Sequence, residues 1–330
     1  MCPAEKRFRR VRLPILFFAL VLVAVSVLVV FFLTRHPISI NKEFDWAIGI
    51  YEGDSPLRLS PMKTVINPVI KSSDVTDVKA ESVADPFMLN SGGVWYMFFE
   101  VMNSLSHQGD IGCATSQDGR HWNYQRIVLD ESFHLSYPYV FQSEGQFYMI
   151  PESNERGAVR LYRAKSFPYA WEFVANLTSS AYADCSVFFT DDTWWMFVCS
   201  KPATRDELRL FFADKLTGPW TEHPASPLIQ GNATKTRPAG RVLLTEDTIL
   251  RFSQDDQRTY GREVLAFFIT EISRTNFGEK EFEGNPILGP GSKGRNRHGM
   301  HHIDAHEISP GKWIAAVDGY RKHLTVRIEH

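Results

Sequence analysis

From residue 80 onward, short apolar runs rich in aromatic and β-branched residues alternate with turns built on Gly, Asp and Asn. The runs at residues 94–99 (VWYMFF), 147–150 (FYMI), 194–198 (WWMFV), 266–269 (AFFI) and 313–317 (WIAAV) read as strands. Each belongs to a unit whose first strand opens on a polar or charged residue beside a small one or a proline. These openings are Ala84-Asp85-Pro86-Phe87, Ser136-Tyr137-Pro138-Tyr139, Tyr182-Ala183-Asp184-Cys185, Thr236-Arg237-Pro238-Ala239 and His301-His302-Ile303-Asp304. Hairpin turns are expected at Ser91-Gly92-Gly93, Glu144-Gly145 and Asp191-Asp192. The period, roughly 45–60 residues, is the size of one propeller blade. The pattern predicts an all-β fold, a five-bladed β-propeller that gathers the five openings around one central funnel. A two-sheet sandwich explains the strands but not their recurrence. Residues 44–51 read as a further strand that completes the last blade and removes an open sheet edge.

The N-terminus follows a different pattern. Residues 13–33 are uncharged and overwhelmingly apolar, without strand-like alternation. At about 1.5 Å per residue they span roughly 30 Å, the thickness of a bilayer's hydrocarbon core. Lys6, Arg7, Arg9, Arg10 and Arg12 precede the run, which favours a cytosolic N-terminus and a translocated body. A cleaved signal peptide would have a shorter apolar core and a small-residue cleavage site. The expected organisation is a cytosolic basic tail (1–12), a single N-terminal transmembrane helix (13–33), a short polar stem (34–45) and a luminal propeller (46–330). This describes a single-pass type II membrane protein of the Golgi or another secretory-pathway membrane.

Composition narrows the partners. The net charge of −2 and the dispersed basic residues indicate no nucleic acid or polyanion as ligand. No glycine-rich phosphate loop follows a strand and opens a helix, which disfavours a nucleotide-binding α/β fold. Cys113, Cys185 and Cys199 lie in the body. Cys185 and Cys199 are one hairpin apart, so a disulfide and three buried small hydrophobes are both open. No cysteine or histidine spacing resembles a zinc site, and no metal ligand is assigned. Asn176-Leu177-Thr178 and Asn232-Ala233-Thr234 are glycosylation acceptor sequons.

Several segments, taken in order, carry a family likeness. Beside the openings already named they include Trp95-Tyr96-Met97-Phe98-Phe99-Glu100, Met149-Ile150-Pro151-Glu152-Ser153, Leu161-Tyr162-Arg163-Ala164, Gly218-Pro219-Trp220 and Arg251-Phe252-Ser253-Gln254-Asp255. Over residues 80–320 the chain resembles the N-terminal propeller domain of plant glucosamine inositolphosphorylceramide transferases. In that family the propeller is fused to a separate glycosyltransferase domain, for which this chain has no room. The resemblance therefore does not by itself bring sugar transfer with it. More distantly, the blades are similar to five-bladed glycosidases such as arabinanases, xylosidases and invertases. That likeness implies a base or nucleophile at Asp85 and a second carboxylate at Asp184. It also implies a glutamate, for which Glu152 and Glu100 are candidates although both end second strands. His301 or His302 matches a last-blade histidine that holds a metal near the axis in some relatives.

Glycosidic chemistry needs an acid and a base or nucleophile, whose separation sets the stereochemical outcome. The candidate catalytic set is Asp85, Glu152 and Asp184. Asp85 is the candidate base or nucleophile, with a turn cap as its structural alternative. Glu152 is the candidate acid, with an acceptor for backbone N–H groups as its alternative. Asp184 is the candidate orienting or pKa-tuning carboxylate. Glu100, Tyr137, Arg237, His301, His302 and Asp304 are candidate substrate contacts. Arg237 would hold a carboxylate or phosphate, or tie blades together. Tyr137, Trp95 and Trp195 would stack on sugar, or pack between blades. A divalent cation such as Ca2+ at the axis is the one cofactor to consider. The functional expectation is a membrane-anchored, glycan-active enzyme that transfers or hydrolyses glycosidic bonds of a glycan or glycolipid. The alternative is a noncatalytic glycan-binding propeller that serves a glycosyltransferase partner.

Overall fold

A computed structural model describes the backbone of residues 12–35, 38–292 and 294–328. Residues 1–11 of the expected basic tail lie outside the described residues. The chain divides into two units, one of residues 1–43 with 322–330 and the other Phe44–Arg321.

The first unit contains the helix Arg12–Arg35, whose sequence is apolar on every face. From residue 17 to 28 every side chain is exposed. Among the residues whose side chains are described, no helix is long and apolar enough to cross a membrane. Residues 13–16, 29, 30, 32 and 33 of the expected anchor fall outside that set.

The second unit consists of five antiparallel sheets, and the chain enters four of them by the innermost strand. Blades one to four begin with Ala80–Ser91, Ser136–Ser143, Ala183–Thr190 and the short Arg237–Pro238. Blade five has Ile303–Ser309 innermost, followed by Lys312–Ile328 and then by the N-terminal strands Ile38–Ser55 and Arg58–Pro61. The ring is thus closed by pairing the two ends of the chain, through a strand longer than the expected 44–51.

The hairpins form where the turn chemistry places them. Gly92-Gly93, Glu144-Gly145 and Asp191-Asp192 each put two successive residues at positive φ. That is the turn whose twist matches the flanking strands. Aromatic layers fill the spaces between blades. Phe87, Phe98, Tyr139 and Met149 pack between blades one and two, and Phe188, Trp195, Phe197 and Leu210 between blades three and four. Trp195 is therefore a packing residue. Cys113, Cys185 and Cys199 are free and buried, and Cys199 faces Ala183, not Cys185, across the hairpin. Asn176 stands exposed at the end of the outer strand of blade two. Asn232 is half-buried, its Oδ1 accepting from the Thr234 amide and hydroxyl.

Candidate active site in the central funnel

A β-bulge opens the inner strand in three blades. Ala84 pairs with Glu100 and Phe87 with Phe98, so blade one carries one extra residue at Asp85-Pro86. The same slip falls between Ser136 and Tyr139 in blade two and between Ala183 and Ser186 in blade three. The first residue of each bulge has positive φ, 54° at Asp85, 45° at Tyr137 and 48° at Asp184. Asp tolerates this conformation better than Tyr, for which it is costly. Bulges re-aim side chains, and these three side chains are buried together at the axis. Pro86 and Pro138 suit the bulge because no ladder N–H is needed there.

Opposite the openings lies a second ring. Glu100, Glu152 and Cys199 face the residue before each bulge, and Gln254 faces Arg237. Asp318 follows Val317, the partner of Ile303. Asp318 was not singled out from sequence. Its position on the second strand of its blade, as Glu100 and Glu152 are on theirs, is the signal that marks it.

Asp184 is held by Arg237 through Nε (2.5 Å) and Nη2 (3.3 Å), and by Gln254 Nε2 at 2.7 Å. Burial acts to raise its pKa, but Arg237 and a hydrogen bond from Glu152 outweigh it and keep Asp184 ionised. Glu152 shows the reverse. Burial and the Asp184 charge hold its carboxyl well above the usual range. Its oxygens accept from Asn154 Nδ2 at 2.8 Å and from the Asp184 amide at 3.2 Å. Arg237 therefore ties blade four to blade three, and Glu152 is occupied by its neighbours.

Asp85 joins blades one, two and five. Its Oδ2 accepts the Tyr137 amide at 3.2 Å, and its own amide donates to Asp318 Oδ2 at 3.1 Å. His301 Nε2 and His302 Nδ1 lie 3.7 and 3.8 Å from Asp85 Oδ1. Asp318 receives the amides of His301 and His302, both at 3.1 Å, and lies 2.7 Å from His301 Nδ1, off hydrogen-bond alignment. Burial pushes Asp85 up to about 7 against the opposing pull of His301. Burial would lower His301, but the Asp318 and Asp85 charges carry it up to about 9. His302 is driven down to about 4 by burial, and neither of its ring nitrogens has a hydrogen-bond partner among the described residues. Donor atoms of Asp85, His301 and Asp318 all lie within 4.8 Å of one another. Trp46 stacks on His301 with ring centroids 4.0 Å apart, and the Tyr260 hydroxyl lies 3.2 Å from His301 Nε2.

Glu100 is the least encumbered carboxyl of the group. His134 Nδ1 accepts the Gly109 amide at 2.9 Å, which leaves the proton of the neutral ring on Nε2, 3.4 Å from Glu100 Oε1. Glu100 Oε2 takes no hydrogen bond among the described residues. Burial, reinforced by the Asp85 charge, pushes Glu100 up to about 8. His134, like Asp318, was not anticipated from sequence.

Tyr137 and Asp304 lie deeper and are spent on the scaffold. The Tyr137 hydroxyl accepts the Gly240 amide at 2.6 Å and meets Ser186 Oγ at 2.9 Å. Its ring is fully buried and presents no face to a sugar. Asp304 accepts from Arg241 Nε at 2.8 Å, the Met88 amide at 2.6 Å and His306 Nε2 at 2.9 Å. Arg241 also donates to Val140 O at 2.9 Å. The Arg241–Asp304 pair is a crossbar linking blades one, two, four and five beneath the funnel.

Residues 38–320 match the family described as glucosamine inositolphosphorylceramide transferase 1, N-terminal. Glucosamine inositolphosphorylceramide transferase 1 of Oryza sativa subsp. japonica is 36% identical over 306 residues, an alignment covering 85% of this chain and 41% of that protein. The Arabidopsis thaliana protein of that name is 32% identical over 304 residues, covering 85% and 40%. The chain thus spans about two-fifths of the length of these relatives. Among solved structures, the Cellvibrio cellulosa α-L-arabinanase complexed with arabinohexaose superposes with a TM-score of 0.51 at 12% identity, over 74% of this chain and 95% of that one. An exo-β-1,3-galactanase from Clostridium thermocellum gives a TM-score of 0.53 at 13% identity, over 63% and 51%. At these identities the structures establish the propeller fold.

Proposed function

From its membership of the glucosamine inositolphosphorylceramide transferase N-terminal family, we propose that this chain is a glycan-active propeller whose funnel acts on a glycosidic bond of a glycan or glycolipid. The observation that carries this reading is that Glu100 faces Ala84, the residue before Asp85, across the bulge of blade one, and lies close enough for the Asp85 charge to act on it. Glycosidic chemistry uses two carboxyls, one protonated and one ionised, facing one cleft. Glu100, kept protonated by burial, gives its proton to the glycosidic oxygen as the bond to the anomeric carbon breaks. Asp85, in its ionised form, attacks the anomeric carbon or takes the proton of the attacking hydroxyl. Asp184 and Arg237 hold the wall of the funnel, and His301 sets the charge next to Asp85. Glu100 thereby takes the acid role that the sequence assigned to Glu152, whose oxygens are already engaged.

A second reading is favoured by the cluster of Asp85, His301 and Asp318 and by the unpartnered nitrogens of His302. These residues fit a divalent cation, which would hold sugar hydroxyls by coordination. A donor set that mixes imidazole and carboxylate suits zinc or manganese better than calcium, which takes oxygen ligands. In that case the propeller is a noncatalytic glycan-binding accessory, and a glycosyltransferase is its partner.

The apolar run of the helix Arg12–Arg35, exposed over residues 17–28, and the basic residues before it support a type II anchor in a secretory-pathway membrane, with the propeller luminal. Turnover of a panel of glycosides, glycolipids and nucleotide sugars, read by mass spectrometry, tests the enzyme reading. The full chain should turn over one class, and Asp85→Asn and Glu100→Gln should each abolish that turnover while staying folded. Saturable glycan binding without turnover would favour the accessory reading.

A further inference from the structure

One accessible cavity lies away from the funnel. A cleft of about 710 Å³ opens between blades five and one. One wall is formed by Leu89 and Asn90, at the far end of the inner strand that carries Asp85. Five residues of extended chain separate Asp85 from Asn90, about 16 Å at ~3.3 Å per residue. His306 and Ile308, beyond Asp304 on the inner strand of blade five, form the facing wall. The Arg241–Asp304 crossbar lies between this cleft and the funnel.

We propose that this cleft is a second glycan-binding site, one that takes a neutral pyranose unit independently of the funnel. Three features point to that ligand. The volume lies within the range of small-molecule sites, about 300–1,000 Å³, and far above that of a packing void. Trp95 lines the cleft half-exposed, its ring edge-on to His306 at 5.6 Å between centroids. A partly open indole offers an apolar face to the C–H face of a sugar. Around it, the amides of Asn90, Gln117 and Gln142 are exposed and make no side-chain hydrogen bond among the described residues. They are unspent donor–acceptor pairs suited to vicinal hydroxyls.

Charge selects against acidic ligands. Glu52, Asp118 and Glu307 stand against Arg120 and Lys312, three carboxylates to two cations. Asp118 is further fixed as an acceptor by the Arg120 and His121 amides at 2.8 and 2.9 Å. The funnel contrasts with this cleft, because its polar groups are buried, whereas the three amides of the cleft face solvent.

The test uses the full chain and a panel of neutral gluco-, manno-, galacto- and xylo-oligosaccharides beside sialylated and sulfated ones. Binding is read by saturation-transfer NMR and by quenching of tryptophan fluorescence. A neutral oligosaccharide should bind, and an Asn90→Ala/Gln142→Ala double variant should weaken it about tenfold, as loss of two hydrogen bonds predicts. Asp85→Asn should leave this affinity unchanged, and the double variant should leave funnel turnover unchanged. Both substituted amides are exposed, so an unchanged melting curve verifies the fold. Absence of neutral-sugar binding at millimolar concentration, preference for the acidic panel, or loss in Asp85→Asn alone would each overturn the proposal.

Discussion

The crossbar beneath the funnel yields the sharpest test of how the blades are held together. Arg241→Met removes a guanidinium that spans Asp304, Val140 and Met88. The carboxylate of Asp304, fully buried, then keeps only the Met88 amide and His306. Removing one partner of such a buried pair costs about 3–5 kcal/mol, because the other charge stays desolvated. At roughly 2–4 °C per kcal/mol for a domain of this size, the melting temperature should fall by about 6–20 °C. Asp304→Asn alone should be comparably damaging. The double variant Arg241→Met/Asp304→Asn should cost less than the sum of the singles by about 1–3 kcal/mol. The pH dependence supplies a second arm. Burial acts to raise the Asp304 pKa, but Arg241 and His306 overcome it and hold the carboxyl well below its ordinary value. A depressed folded pKa gives stability that is present above the unfolded value of about 3.9 and is lost as pH falls below it. The gap between the native chain and Arg241→Met should therefore narrow in acid. Scanning calorimetry of the four chains between neutral and acid pH measures both arms. Additive single costs, together with a gap that does not change in acid, would refute the crossbar as an electrostatic tie.

Three further outcomes are expected. If Asp85 is the base and Glu100 the acid, turnover should be bell-shaped, rising as Asp85 ionises near 7 and falling as Glu100 ionises near 8; a rate that climbs through pH 9 would exclude Glu100 as the acid. Gly240→Ala should abolish soluble folded protein, since a Cβ there would stand 1.7 Å from Ile303 O in a backbone already at φ 143°; a folded variant with near-native melting would disprove that close approach of blades four and five. Zinc or manganese should raise the melting temperature if the axial cluster binds it, and His301→Asn should remove that rise; equal stabilisation in native and variant chains would locate the ion elsewhere.

The expectations of pattern were met where the physics is local. Gly92-Gly93, Glu144-Gly145 and Asp191-Asp192 turn because of their own backbone preferences, and the flanking aromatic runs pair because the turn sets their register. The five openings follow from those hairpins, and Asp85, Tyr137 and Asp184 indeed occupy equivalent bulges on the inner strands. Their division of labour is a different matter. Tyr137 was a candidate sugar contact, but its hydroxyl is engaged with Gly240, 103 residues away. Glu100 and Glu152 occupy equivalent positions in sequence, yet Glu152 is engaged by Asp184 and Asn154, whereas Glu100, among the described residues, meets only the weak contact of His134.

By itself, then, the sequence determined the blades, their number, the closing strand and the ring of polar openings, because hydrophobic period and turn chemistry act over a few residues. Only the tertiary structure decided which carboxyl is charged, which is protonated and which is locked. Those states depend on burial and on charges brought together from far apart in the chain, as with Asp85 and Asp318, 233 residues apart. No local pattern records such a distance.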